Sequence, residues 1–262
     1  MTVSPYPLPA GEGRPLAIGR LLAIGSGKGG VGKTWLAISL AQALAQAGWR
    51  VLLVDGDLGL ANVDVQLGLD SRHGLAAVLA GQIDVMQAAT SHPAGFSILP
   101  GLSGAGTLAG LDGAATDGLA TLLRQATADW DVVLLDLGAG IDAAVRRLAA
   151  TADLLLVVAT AEPTSLTNAY AVLKLHRRDS PEGEARLVVN LAADRAEGER
   201  TWRTLDRACR TFLGTALPLA GIIRRDARVP DAFRRQTPLL TRPPGSTAAA
   251  DVLALAAGLA PA

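Results

Sequence analysis

The residues with the clearest chemical consequence are Gly27-Lys28-Gly29-Gly30-Val31-Gly32-Lys33-Thr34. They satisfy GxxxxGK[ST], in which small residues let backbone N–H groups wrap phosphate oxygens. A helix that follows such a loop points its N-terminus at the bound anion. In that geometry Lys33 reaches the β- and γ-phosphates and the Thr34 hydroxyl binds Mg²⁺. The overlapping Gly25-Ser26-Gly27-Lys28-Gly29-Gly30 fits the dinucleotide pattern GxGxxG, and a plain glycine turn is the other alternative. The longer match absorbs the shorter one. Of the 24 basic residues only Lys28, Lys33 and Lys174 are lysine. Two of the three fall in this one stretch, and a compact ammonium is not interchangeable with a planar guanidinium.

A phosphate loop needs carboxylates on the same sheet edge. Asp131-Val132-Val133-Leu134-Leu135-Asp136 offers Asp136 after four apolar residues, at the C-terminal end of a strand, where open α/β sheets bind ligands. Asp131 reads as the residue leading into that strand. Asp55-Gly56-Asp57 ends another apolar run, so two more carboxylates can orient water and metal near the γ-phosphate. Ordinary turn acids are the plain alternative for this pair.

The elements that must position these residues follow from the pattern. Strands are predicted at 21–26, 50–54, 96–99, 131–135, 154–159, 186–189 and 219–223. Several are near-continuous Val/Leu/Ile runs, as for parallel strands covered on both faces. Helices are predicted at 34–47, 75–80, 118–128, 142–150, 165–178, 199–212 and 247–259. Strand and helix alternate, which predicts an α/β fold with a doubly wound, mostly parallel sheet and helices on both faces. Residues 1–15 carry four of the 14 prolines and no periodicity, so they read as a loose leader. Residues 16–262 read as one domain.

Composition closes several other routes. Half of the 262 residues are apolar, enough for a sizeable core. The longest strong apolar run, 154–159, is far short of the roughly 18 residues that span a bilayer. The N-terminus has no basic flank followed by an apolar stretch, so the expectation is a cytoplasmic protein. Cys209 is the single cysteine, which excludes a CxxC pair or a cysteine-ligated cluster within one chain. His73, His92 and His176 show no metal-ligand spacing, and Trp35, Trp130 and Trp202 read as packing. The 24 basic and 24 acidic residues cancel overall. Yet Arg195–Arg242 holds eleven Arg against five acids, either a solvated face or a site for an anionic partner.

At this point the chain resembles the MinD/ParA ATPases, the P-loop class with an additional lysine early in the loop, here Lys28. Asp55 to Leu69 (DGDLGLANVDVQLGL), Glu162 to Tyr170 (EPTSLTNAY) and Leu137-Gly138-Ala139-Gly140-Ile141 are similar to loops of the flagellar-number regulators, the FlhG/FleN (MotR) branch. The likeness runs from about Leu21 to Leu240. It implies that Gly27 to Thr34 cradle ATP and Mg²⁺, and that Lys28 reaches across a dimer to the partner's nucleotide. Asp57 would orient the attacking water, with Asp55 and Asp136 supporting the metal alongside Thr34. Glu162 would lie near the ribose, Asn190 would read adenine, and Asp226 belongs to a segment resembling the adenine-side loop. Three positions depart from the family pattern. Asn168 replaces an Asp that meets the partner's lysine, Leu137 replaces Thr or Ser, and Arg224-Arg225-Asp226 lacks a proline.

The resemblance implies a slow ATPase that dimerises with ATP and regulates flagellar number or placement through a protein partner, such as a flagellar signal-recognition-type GTPase. A partition ATPase that binds DNA without sequence preference is the alternative, resting on the Arg-rich region. Many relatives end in a basic amphipathic membrane helix. Residues 247–262 contain no Lys, Arg or aromatic residue, so this helix is expected to pack on the sheet. Membrane association would then be weak, or indirect at the inner face of the cell membrane through a partner.

Overall fold

In the computed structural model, residues 19–57, 61–69, 74–101, 113–241 and 245–259 are described. The expected leader, His73 and Arg242 lie outside them.

The chain runs β1 (Arg20–Ser26), α1 (Lys33–Gln46), β2 (Val51–Gly56), α2 (Val63–Leu67), α3 (Leu75–Leu79) and α4 (Val85–Ala88). It continues through β3 (Thr90–Ser91), β4 (Ser97–Leu99), α5 (Gly113–Ala126), β5 (Val132–Ala139), α6 (Ala143–Thr151) and β6 (Leu154–Ala159). The remainder is α7 (Pro163–Asp179), β7 (Glu184–Ala192), α8 (Arg195–Leu213), β8 (Leu219–Arg224), α9 (Arg228–Arg234), a 3₁₀ turn at Leu239–Thr241 and α10 (Thr247–Leu259).

The eight strands form one sheet in the order β3-β4-β2-β5-β1-β6-β7-β8. All pairings are parallel except β3 with β4. Side chains alternate along each central strand, so each strand feeds two cores. Leu22 and Ile24 of β1 face Leu36, Leu40 and Leu44 of α1 and Val252 and Leu255 of α10. Leu21 and Ala23 join Leu119 and Leu123 of α5, Leu148 of α6 and Leu173 of α7. That is a doubly wound α/β sheet with helices on both faces, as the alternation predicts.

The boundaries shift for local reasons. β5 does not stop at Leu135 but continues to Ala139, because its neighbours β1 and β2 also continue and pair with it there. α7 starts at Pro163 instead of 165, since proline is tolerated at the first helical position and Glu162 takes the cap position. α8 starts at Arg195 instead of 199. Asp194 caps the Glu197 amide at 2.7 Å, and the Glu197 carboxylate reaches back to the Ala193 amide at 2.6 Å. The short elements α2, α4, α9 and β3 went unpredicted, being too brief to show a period.

Candidate functional site: a phosphate loop with carboxylates on one sheet edge

The loop from Gly27 to Gly32 connects β1 to α1 at the C-terminal edge of the sheet. Gly30 and Gly32 have φ of 77° and 87°, in the left-handed region that favours glycine. Gly27 is required for a different reason. A Cβ there would lie 2.4 Å from the Asn168 carbonyl oxygen on α7. α1 begins without a side-chain cap and without an acid in its first turn. Its first amides therefore face the loop with no anion of the chain's own to meet them. Lys33 is almost buried and has no hydrogen bond or ion pair to the described residues.

Opposite the loop, parallel register sets Asp55 beside Asp136 and Gly56 beside Leu137. Asp136 is 1% exposed, and its Oδ1 has no hydrogen-bond partner in the protein. Burial pushes its pKa up to about 7, a rise opposed by the Thr34 hydroxyl and by Lys33 and reinforced by Asp55 and Asp57. Asp55 is as deeply buried, and burial raises its pKa to about 6. Its oxygens are already engaged by backbone amides, those of Asn62 and Val63 at 2.8 and 2.9 Å and that of Asp57 at 3.2 Å. Asp55 thus organises the turn that starts α2, and Asp136 presents the unpartnered oxygen. Asp57 lies over β5: a Cβ on Gly138 would be 3.3 Å from its Oδ1.

Lys28 is half-exposed on the rim of the loop, where its ammonium is bonded to Glu162 and lies 3.3 Å from the Thr164 hydroxyl. The bond to Lys28 holds the Glu162 carboxyl below its usual range, and Arg225 adds to this. Asn190 is buried beneath the loop. Its Nδ2 donates to the Val31 carbonyl at 2.8 Å, and its Oδ1 accepts from the Leu191 amide at 2.9 Å. Asp226 caps α10 through its Oδ2, which accepts from the Ser246 hydroxyl at 2.7 Å, and its Oδ1 accepts from the Arg228 amide. Gly27 to Thr34, Asp55, Asp57 and Asp136 therefore come together, with Lys28 and Glu162 on the rim and Asn190 as a brace. Asp226 is drawn away into the packing of α10.

Thr164 and Gly138 were missed as site residues, although both lie in the loop segments quoted above. Leu137 is buried in the core, and Asn168 meets the loop through its backbone. Cys209 is fully buried, and Trp35 and Trp130 are nearly so. Trp202 is half-buried and donates to the Leu217 carbonyl at 2.8 Å. Six of the ten described arginines in the Arg-rich region form ion pairs within the fold. Arg195 and Arg224 converge on buried Asp251, Arg203 pairs with Glu199, Arg210 with Asp206, and Arg234 and Arg235 with Asp231.

The family described as "Cellulose biosynthesis protein BcsQ" matches residues 20–258. The Antiactivator FleN of Pseudomonas aeruginosa is 39% identical over 218 residues, 83% of this chain and 78% of that protein. The Flagellum site-determining protein YlxH of Helicobacter pylori is 29% identical over 227 residues, 84% of this chain and 76% of that one. Among solved structures, the septum site-determining protein MinD complexed with Mg-ADP from Pyrococcus horikoshii superposes with a TM-score of 0.74. It is 25% identical and covers 90% of this chain and 94% of its own. With the phosphate loop, the additional lysine and the carboxylate edge in place, the chain belongs to the MinD/ParA-type ATPases and is related to the flagellar number and placement regulators.

Proposed function

We propose that the protein is an ATP-dependent switch that dimerises when ATP and Mg²⁺ are bound and regulates flagellar number or placement through a protein partner. The observation that carries this is Asp136: a buried carboxylate with one orphaned oxygen, next to Lys33 and Thr34. A buried polar atom left unpaired is costly unless a ligand or its hydration shell meets it. The donor set fits Mg²⁺, which uses one or two carboxylates and phosphate oxygens instead of a closed protein cage. Consistent with that, no cluster of three or more His, Cys, Asp or Glu that could hold a metal occurs among the described residues.

When bound, Mg-ATP supplies the transferable phosphoryl group and part of its charge neutralisation. The chain's own residues do the rest. The amides of Gly27, Gly29, Gly30, Val31 and Gly32 wrap the phosphates, Lys33 neutralises them, and Thr34 and Asp136 hold the metal side. Asp57, set against Gly138, orients the attacking water. Lys28 leaves Glu162 to meet the nucleotide of a second subunit. An exposed ion pair is weak and screened by salt, so Glu162 is a resting place for that lysine and not a lock. Turnover is slow, and the nucleotide state is the output.

The flagellar role rests on FleN and YlxH, the relatives whose names concern motility. The partition alternative is weakened only where Arg195 and Arg224 are committed to the buried Asp251. No helix among the described residues is long and apolar enough to cross a membrane. α10 packs Val252 and Leu255 against the sheet, so membrane contact would be made through a partner at the inner face of the cell membrane. Equilibrium ATP binding with and without Mg²⁺, in the unsubstituted protein and in Asp136→Asn, tests the site. Loss of the Mg²⁺-dependent increment is expected. An increment unchanged by Asp136→Asn would remove the metal assignment, and normal flagellar counts in cells lacking the protein would remove the role.

A further inference from the structure

Two residues other than glycine have positive φ among the described residues, Leu191 and Gln236. Gln236, between α9 and the 3₁₀ turn, is held at φ 49°, a left-handed conformation that is costly for such a side chain. Glycine would sit there without that cost, so a glutamine in its place points to a task for the side chain. Its Nε2 donates to the Val65 carbonyl of α2 at 2.8 Å. Gly68 ends α2 at φ 63°, and a Cβ there would lie 2.8 Å from the Gln236 Oε1. The segment that carries Gln236 is fixed to α1 further on: Gln42 donates to the Thr241 hydroxyl at 2.7 Å and accepts from the Leu240 amide at 3.0 Å. α1 opens with Lys33 and Thr34, so Gln236 ties α2 to the helix of the phosphate loop.

α2 needs that tie. Its five residues are too few for a helix to hold on its own. Val63 and Leu67 anchor it in the core, but two side chains one turn apart on one face let it roll about the line that joins them. The roll matters at the N-terminal end. There the Asn62 and Val63 amides bind Asp55, whose Oδ1 also accepts from the Asp57 amide. A competing arrangement is at hand. Trp35 and Ser39 of α1 and Gln66 of α2 line one cavity of about 20 Å³. The Trp35 Nε1, the Ser39 Oγ and the Gln66 Oε1 are buried without a hydrogen-bond partner among the described residues. Buried polar atoms left unpaired favour a small movement that pairs them, and the Gln236 bond opposes it.

We propose that Gln236 is a positioning residue for ATP hydrolysis. By clasping α2 it holds the Asn62 and Val63 amides on Asp55, and through Asp55 it holds Asp57 over β5. The inference rests on the ATPase reading and on the assignment of Asp57 to the attacking water. A shift of about 1 Å in a group that orients the nucleophile can cost about 100-fold in rate, so a bond far from the phosphates is felt in turnover. The phosphate-binding amides and Lys33 belong to β1, the loop and α1, so ATP binding itself is spared.

The test measures steady-state Mg-ATP hydrolysis by the full chain and three variants. Gln236→Glu keeps the length and removes the donor, Gln236→Gly removes the side chain and relieves the φ, and Gly68→Ala pushes the Gln236 amide away. Each should lower kcat about tenfold or more, with KM for ATP within about twofold of the unsubstituted value. Gln236→Gly should nevertheless unfold in urea at the same midpoint or a higher one, because glycine is the easier residue at that φ. In nucleotide-free Gln236→Glu the Asn62 and Val63 amides should exchange hydrogen faster, with those of β1 unchanged. If Asp57→Ala is defective yet kcat in Gln236→Glu is unchanged, the proposal is overturned and the Asp57 assignment stands. Unchanged exchange at Asn62 and Val63 also overturns it, as does lost stability with kcat intact, which would make Gln236 a structural residue only. Normal hydrolysis by Asp57→Ala would remove the Asp57 assignment and the proposal with it.

Discussion

Asn190→Ala separates two roles for the buried amide under the phosphate loop. Asn190 is 1% exposed, donates to the Val31 carbonyl and accepts from the Leu191 amide. Leu191 sits at φ 59°, an uncommon conformation that this hydrogen bond helps to hold. Truncation orphans one carbonyl and one amide, each at a cost of about 1–3 kcal/mol when buried. Water entering the vacated space recovers part of this, so the sum should be about 2–4 kcal/mol. Urea denaturation without nucleotide measures it directly, as a lower midpoint at unchanged slope. Because Val31 is part of the loop, affinities for ATP and GTP should fall together. A base-reading Asn190 would instead lose only the preference for ATP. Stability within about 0.5 kcal/mol of the unsubstituted protein, the range of ordinary surface changes, would refute the bracing argument.

Lys33→Ala should abolish tight nucleotide binding, whereas Asp57→Ala should bind ATP, hydrolyse it poorly and accumulate as dimer; equilibrium binding and size exclusion with ATP distinguish them. Lys28→Arg should fold normally, since a guanidinium can still pair with exposed Glu162, yet fail to dimerise with ATP; wild-type dimerisation would show that the ammonium itself is not needed. The nucleotide-free protein should lose stability as pH rises. Burial raises the pKa of Asp136 to about 7 and of Asp55 to about 6, so the folded state keeps protons that the unfolded chain has released above about 4. Stability therefore falls from about pH 4 to about pH 8, a loss on the order of 4 kcal/mol between pH 5 and pH 8, the larger part of which Asp136→Asn should remove. Chemical denaturation at those two pH values decides it.

The strands were legible because the central ones are covered on both faces and must be apolar throughout. Leu154–Ala159 agrees to the residue, and so does helix Thr247–Leu259. The phosphate loop was legible because its spacing encodes backbone geometry, down to the glycines at positive φ. What remained hidden depends on contacts distant in sequence. Asp55 reads as a strand-end acid like Asp136, and only the fold of residues 61–63 over it reveals the two amides that join that of Asp57 at its oxygens. Asp226 lies 20 residues from Ser246, and nothing local announces that it caps α10.

Asp251 makes the same point for the charge pattern. Within α10 it looks like one acid on a helix otherwise made of small and aliphatic residues. In the fold it is 3% exposed and accepts from the Arg224 amide, the Arg224 guanidinium and Arg195. A buried carboxylate is tolerable only when paired and hydrogen-bonded in this way, and two arginines of the basic stretch are committed to it. The arginine excess between 195 and 242 was counted against acids in its own stretch, whereas one of the acids that balances it comes from the last helix. Charge that is neutralised inside the fold releases no counterions from DNA and attracts no lipid. Counting residues along the chain therefore misplaces the charge such a region presents: Arg195 and Arg224 are committed to Asp251, while Arg200, Arg207 and Arg225 remain exposed without an ion pair among the described residues.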